Sequence, residues 1–147
     1  MTSTQKPGVQ ERILLHLLDY SDYKGSVEVP FSLSQMGIAN AVSIARSNVP
    51  RAIAGLKDQG LLVERQAHVK GVSRKRKAYF LTESGMNLAD DTWKRLRGFS
   101  FRAILEDGNI VSTTLGNANQ ELPFSMRPVD LIRYLDDNGV LDTRLLS

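Results

Sequence analysis

Cysteine is absent from the 147 residues of this chain. Its absence excludes a disulfide scaffold, a thiol nucleophile and every zinc site that needs sulfur. Histidine is scarce: His16 and His68 are the only two, too few for a histidine-rich metal centre, and neither stands in a context that argues for a Ser-His-Asp arrangement. Neither a Walker A loop nor a Gly-x-Gly-x-x-Gly turn is present. The adjacent pairs Asp90-Asp91 and Asp136-Asp137 diverge around a helix and make no acid/base couple. No catalytic residue, metal or cofactor is therefore expected, and the chain does not read as an enzyme. No window approaches the ~18 consecutive apolar residues of a membrane span, and Met1–Gln10 is too polar for a signal peptide. The expectation is a cytoplasmic protein with no membrane partner. With 41% apolar residues, 24% charged and only 5 Pro, the composition excludes a disordered or fibrous polymer. The length suits one core and a small appendage.

Charge is present, and it is unevenly placed. Residues 1–98 hold fifteen Lys/Arg against nine Asp/Glu, whereas residues 99–147 hold four against seven. Within Glu64–Lys77 six basic side chains stand against one acid. Net charge speaks to partners rather than to fold, and so local a cluster points to a polyanion.

Periodicity places these charges on elements. Met1–Gly8 reads as a flexible terminus. Ile13, Leu14, Leu17 and Leu18 form the apolar stripe of a helix over Val9–Tyr20. Val27–Phe31 alternates as a short edge strand with a proline at its rim. Ser34 caps a second, short helix through Ile38–Ala41. A turn at Val42–Ala45 leads to a third helix from about Ser47 to Gln59, stopped by Gly60. Strands at Leu61–Ala67 and Lys77–Leu81 flank a basic tip, His68–Arg76, turned by Gly71. Thr82 caps a helix over Glu83–Arg97 with the stripe Met86, Ala89, Trp93 and Leu96.

Beyond Gly98 the pattern changes. Phe99–Glu106 and Asn109–Leu115 flank Asp107-Gly108, a strong hairpin signal that pairs Leu105 with Ile110 and Ile104 with Val111. A polar loop, Gly116–Ser125, precedes a last helix with Pro128 near its start and Asn138-Gly139 as its stop. The apolar ending through Leu145-Leu146 fits either a docked tail or a chain that continues in a longer protein.

Helix, small strand, helix, turn, helix and two strands around a basic loop is the order of a winged helix-turn-helix. The fold class expected is α+β, with that core at residues 9–97 and a C-terminal hairpin-helix extension at 98–147 for packing or dimerisation. The residues carry a resemblance as well. Ser34-Gln35-Met36-Gly37-Ile38-Ala39, Val42 through Ile53 and Leu56-Lys57-Asp58-Gln59-Gly60-Leu61-Leu62 are similar to the MarR-like winged-helix regulators. Arg76 through Gly85 is similar to their wing strand and following helix cap. Two departures stand out. MarR wings usually carry an Asp-x-Arg pair at the tip, where Val72-Ser73-Arg74-Lys75-Arg76 has no acid. Their dimers form through long helices outside this core, whereas here a hairpin and a helix follow it. The stretch Gly71–Thr82 also resembles archaeal regulators in which such a domain precedes a larger regulatory or nucleotide-binding region.

The third helix divides cleanly. Val49, Ala52, Ile53 and Leu56 share the face that packs on the first helix, and Ser47, Asn48, Pro50, Arg51 and Ala54 turn outward. A helix of this kind fits the major groove. Arg46 and Arg51 suit guanine O6/N7, and Asn48 suits adenine N6/N7. With Ser47 as N-cap, Pro50 falls at N3, where its missing N–H costs nothing. The wing cations Lys70, Arg74, Lys75, Arg76 and Lys77 suit a minor groove and the phosphates beside it. Ser34 and Gln35, at the positively polarised start of the second helix, are candidate phosphate anchors. Double-stranded DNA is thus the expected partner, bound by a homodimer; the hairpin either packs on the helix of Glu83–Arg97 or meets a second copy across a two-fold axis. Set against this are simpler roles. Lys57 reads as solvating its helix, His16 as a core-edge histidine and Trp93 as core or interface. His68 fits a DNA contact or a spectator equally. The competing function is a protein-interaction or DNA-targeting module at the N-terminal end of a larger signalling or nucleotide-binding protein. It calls for apolar residues on the outward face of the third helix.

Overall fold

A helix with one apolar stripe is stable in water only when that stripe is covered, and three such helices here cover one another. The computed structural model describes residues 7–42 and 46–146; the expected flexible terminus, from residue 1 to 6, and residues 43–45 of the expected turn lie outside them. The chain divides into two compact units, Gly8–Thr92 and the part from Trp93 onward.

In the first unit α1 (Val9–Leu18) buries Ile13, Leu14, Leu15, His16 and Leu17. It opens on Gly8, whose N–H donates to the Glu11 carboxylate at 3.2 Å, and closes two residues before the expected Tyr20. Strand β1 is only Glu28–Val29. The expected strand to Phe31 is cut short because Pro30 has no N–H to offer a ladder and Phe31–Leu33 winds into a 3-10 turn. Helix α2 (Gln35–Val42) is capped by Ser34, whose Oγ accepts from the Gly37 N–H at 3.1 Å. Helix α3 (Val49–Asp58) buries Val49, Ile53 and Leu56 and packs against α1 and α2. Arg12 fastens α1 to the end of α2 through a 2.8 Å hydrogen bond to the Val42 carbonyl. Burial lowers the pKa of its guanidinium.

Helix α3 ends in a Schellman turn: Gly60 takes the left-handed φ of 74°, and the Leu61 N–H returns to the Leu56 carbonyl at 3.0 Å. Strands β2 (Leu62–Val69) and β3 (Lys75–Leu81) then form an antiparallel hairpin, pairing Leu62 with Leu81 through His68 with Lys75. β1 lies parallel to β2 at its outer edge. The hairpin is longer than expected, and its tip shrinks from His68–Arg76 to Lys70–Arg74. Gly71, at φ 83°, sits where a tight turn needs a positive φ, and the Val72 N–H closes that turn on the Val69 carbonyl at 3.0 Å. Helix α4 (Glu83–Leu96) starts at Thr82, whose Oγ accepts from the Gly85 N–H at 3.0 Å. Its buried face is Gly85, Ala89, Thr92 and Leu96: Ala89 and Leu96 of the expected stripe are buried, whereas Met86 is 39% exposed and Trp93 half-buried. The helix approaches through its small residues because a β-carbon at Gly85 would strike the Leu61 carbonyl.

The second unit is a three-stranded sheet in the order β5-β4-β6. Strands β4 (Ser100–Ile104) and β5 (Ile110–Thr114) form the expected hairpin, but Ile104 pairs with Ile110 and Ala103 with Val111, one residue away from the expected register. The reason is the loop. The Gly108 N–H bonds the Leu105 carbonyl at 2.9 Å and the Leu105 N–H bonds the Asn109 carbonyl at 2.8 Å, which encloses three residues. The Asp107 carboxylate reinforces the loop by accepting from the Asn109 N–H at 3.0 Å. Phe101, Ala103 and Thr113 consequently share the buried face, and Ile110 is 63% exposed.

The expected polar loop after β5 contains the short helix α5 (Ala118–Glu121). Helix α6 (Pro128–Tyr134) starts with Pro128 as expected but stops well before Asn138-Gly139. That dipeptide belongs instead to a turn in which the Asp136 carboxylate accepts from the backbone N–H groups of Asn138 and Val140 at 2.8 and 3.0 Å. The turn feeds β6 (Val140–Asp142), which pairs parallel with β4. The first part of the apolar ending is thus docked, with Leu141 fully buried, whereas Leu145 is 79% exposed. The whole is an α+β fold whose first unit has winged helix-turn-helix architecture.

Candidate nucleic-acid interface

The start of α3 follows from the chemistry of its first residues. A 3-10 turn, Arg46–Asn48, leads into it, and Asn48 rather than Ser47 is the N-cap. Pro50 therefore lies at N2, not the expected N3. The outcome is the same, since neither position has an intrahelical acceptor for its N–H. Ser47, Asn48, Pro50, Arg51 and Ala54 are all exposed, on the side opposite Val49, Ile53 and Leu56. The expected reach of the Arg46 side chain lies outside the described residues.

Around the hairpin, Lys70, Arg74, Lys75, Arg76 and Lys77 are exposed. Strand alternation divides them: Lys75 and Lys77 sit opposite His68 and Gln66 on one face, and Arg76 sits opposite Ala67 on the other. Among the described residues Lys70, Arg74, Lys75 and Arg76 have no acidic partner, and Lys77 has one, Glu64 at 3.8 Å. Arg65, counted in the same basic run, is committed to the fold. It donates to the carbonyls of Lys24 and Ser26 at 3.0 and 2.8 Å and lies 4.6 Å over the Phe80 ring.

Ser34 is only 8% exposed, and its hydroxyl is committed: it donates to the Phe31 carbonyl at 2.6 Å while it caps α2. Gln35 is the exposed side chain at that helix start. A cleft of roughly 430 Å³ joins these parts, lined by Ser34, Gln35 and Met36 from α2, Val49 from α3, and Val69, Val72, Arg76 and Lys77 from the wing. From α3 only the buried Val49 reaches it; Ser47, Asn48, Pro50 and Arg51 lie outside its lining.

No family model matches the chain, and no curated protein matches it either. Solved structures do. MepR, a transcription regulator of the Staphylococcus aureus multidrug efflux pump MepA, is 21% identical over 61% of this chain and 57% of its own, with a TM-score of 0.46. A mutant of Lactococcus lactis ZitR in apo form is 23% identical over 59% of this chain and 55% of its own, at 0.44. A complex of MepR with DNA matches at 22% identity, 55% of this chain and 51% of that one, at 0.42. The chain spans little more than half the length of each.

Sequence reasoning did not single out Glu64. Its carboxylate accepts from Lys57 Nζ, in the last turn of α3, at 3.1 Å and faces Lys77 Nζ at 3.8 Å. The hydrogen bond from Lys57 holds this carboxyl below its ordinary range, with both lysine charges adding to the effect. The Tyr79 hydroxyl interacts with the same group; burial, then the Glu64 charge, push its pKa up to about 12. The signal available in the sequence was that Glu64 is the only acid between Leu62 and Leu81. Two further features are of note among the described residues: no group of three or more His, Asp or Glu side chains can hold a metal ion, and no helix is long and apolar enough to cross a membrane. His16 is completely buried; its Nε2–H donates to the Ser32 carbonyl at 2.7 Å.

Proposed function

We propose that this chain is a sequence-specific double-stranded DNA-binding protein that regulates transcription by occupying DNA rather than by chemistry. In this reading α3 enters the major groove with Arg46, Ser47, Asn48, Pro50 and Arg51 at the base edges. The wing places Lys70, Arg74, Lys75, Arg76 and Lys77 on the adjoining minor groove and phosphates. Gln35 and the capped start of α2 anchor the backbone between them, Ser34 contributing through its cap. The observation that carries the reading is the cationic wing, whose Lys70, Arg74, Lys75 and Arg76 are exposed and have no acidic partner among the described residues. The outward face of α3 supports it too, being polar and cationic at Ser47, Asn48 and Arg51 where a protein-docking helix would be apolar. A homodimer completes the proposal, with two copies of α3 about 34 Å apart on a partly palindromic site, working in the cytoplasm.

Selection of binders from a pool of random duplexes tests this directly. A recovered consensus with two half-sites is the expected result, bound with a log–log salt slope on the order of −4 to −5 per protomer if about five wing cations neutralise phosphates. Recovery of no sequence preference, or binding without salt dependence, refutes it.

A further inference from the structure

Glu64 lies between the two elements assigned to DNA and draws a cation from each. Lys57 continues the outward stripe of α3 through Pro50 and Ala54, at the i, i+4, i+7 spacing of one helix face. Lys77 lines the cleft beside the wing. The Glu64 carboxylate accepts from the first at 3.1 Å and faces the second at 3.8 Å. These are solvent-facing pairs, with the two lysine side chains 40% and 59% exposed. Pairs of that kind contribute little to folding stability. Their electrostatic consequence for a polyanion is larger, because a phosphate must displace Glu64 before either lysine can neutralise it, and releasing counterions through lysine–phosphate contacts is what drives sequence-independent affinity.

We propose that Glu64 is a specificity-determining positioning residue: it competes with DNA phosphates for Lys57 and Lys77 and so limits attraction to any duplex, leaving discrimination to the base contacts of α3. This rests on the DNA-binding reading above. The remaining wing cations keep the backbone contact that orients the protein, since Lys70, Arg74, Lys75 and Arg76 have no acid beside them among the described residues.

The experiment compares the full chain with Glu64→Gln, Glu64→Asp and Glu64→Gln in a Lys57→Ala/Lys77→Ala background, on the selected duplex and on a random one, across a salt series. For Glu64→Gln the random duplex is expected to bind tighter, by roughly three- to ten-fold per released lysine near 0.1 M salt, with a slope steeper by about 1 to 2. The ratio of selected to random affinity falls accordingly. Glu64→Asp keeps the charge and returns the slope toward the parent value. In the double-alanine background the glutamine has no effect, a result that a merely structural role for Glu64 does not produce. Unchanged slope and ratio in Glu64→Gln, or weaker binding of the random duplex, overturn the inference while leaving the DNA-binding reading standing. A parent chain that binds no duplex overturns both.

Discussion

At the scale of single residues, small side chains carry unusual weight. Gly37 sits inside α2, where alanine is ordinarily the better helix former by about 1 kcal/mol. A β-carbon there would strike the Phe31 carbonyl, so steric conflict outweighs propensity. Gly37→Ala is expected to destabilise the protein by about 1–3 kcal/mol, read as a lower midpoint in urea unfolding at constant slope. Arg51 illustrates the opposite kind of residue, exposed on the outward face of α3 and without an ion pair among the described residues. If it reads a base, Arg51→Ala costs roughly 1–3 kcal/mol of discrimination at one base pair and leaves the urea midpoint in place. An equal loss on selected and random duplexes would instead assign it to phosphate.

At the scale of elements, the wing and the second hairpin show what local chemistry settles and what it leaves open. Both hairpins are legible from alternation and a turn glycine, yet the wing strands run past their expected bounds and the second hairpin pairs one residue away from its expected register. In the wing the strands run further toward the tip, so Lys75 and Arg76 join Lys77 in a ladder with fixed faces rather than belonging to a loop. Replacing Arg74, Lys75 and Arg76 together by alanine is expected to weaken every duplex alike and flatten the salt slope by about 3, with base preference retained. A change in the preferred sequence would contradict the division of labour between helix and wing. In the second hairpin the three-residue loop closed by Gly108 moves Ile110 outward and Phe101 inward. At the tail, Leu141→Ala removes a fully buried side chain of β6 and is expected to cost about 2–5 kcal/mol in the unit that holds it, measurable by hydrogen exchange in β4.

At the scale of the whole molecule, charge and titration set the conditions of stability and partnership. Tyr79 is neutral when protonated, and its pKa in the fold is raised to about 12 from an unfolded value near ~10. Between those values the folded chain holds more protons than the unfolded one. Its contribution is therefore full below pH ~10 and is lost as pH rises toward ~12. Base titration followed by circular dichroism should show that loss, and Tyr79→Phe should remove its dependence on pH in this window. Oligomeric state is checked by sedimentation equilibrium: a two-fold mass at micromolar concentration supports the proposed homodimer, and a single-chain mass excludes it.

The order of elements through α4, the apolar faces of α1 and α3, the Ser34 and Thr82 caps and the basic hairpin were all determined by the sequence alone, because periodicity, capping and turn glycines act over a few neighbouring residues. The partners of those residues were decided only in three dimensions. Long-range contact converted Arg65 from a surface cation into a tie to the Lys24 and Ser26 carbonyls, placed Glu64 between helix and wing, chose Gly85 and Thr92 over Met86 for the buried face of α4, and made Val140–Asp142 a strand beside β4. Each of these depends on which backbone or charge arrives from a distant part of the chain, and spacing along the sequence holds no record of that distance.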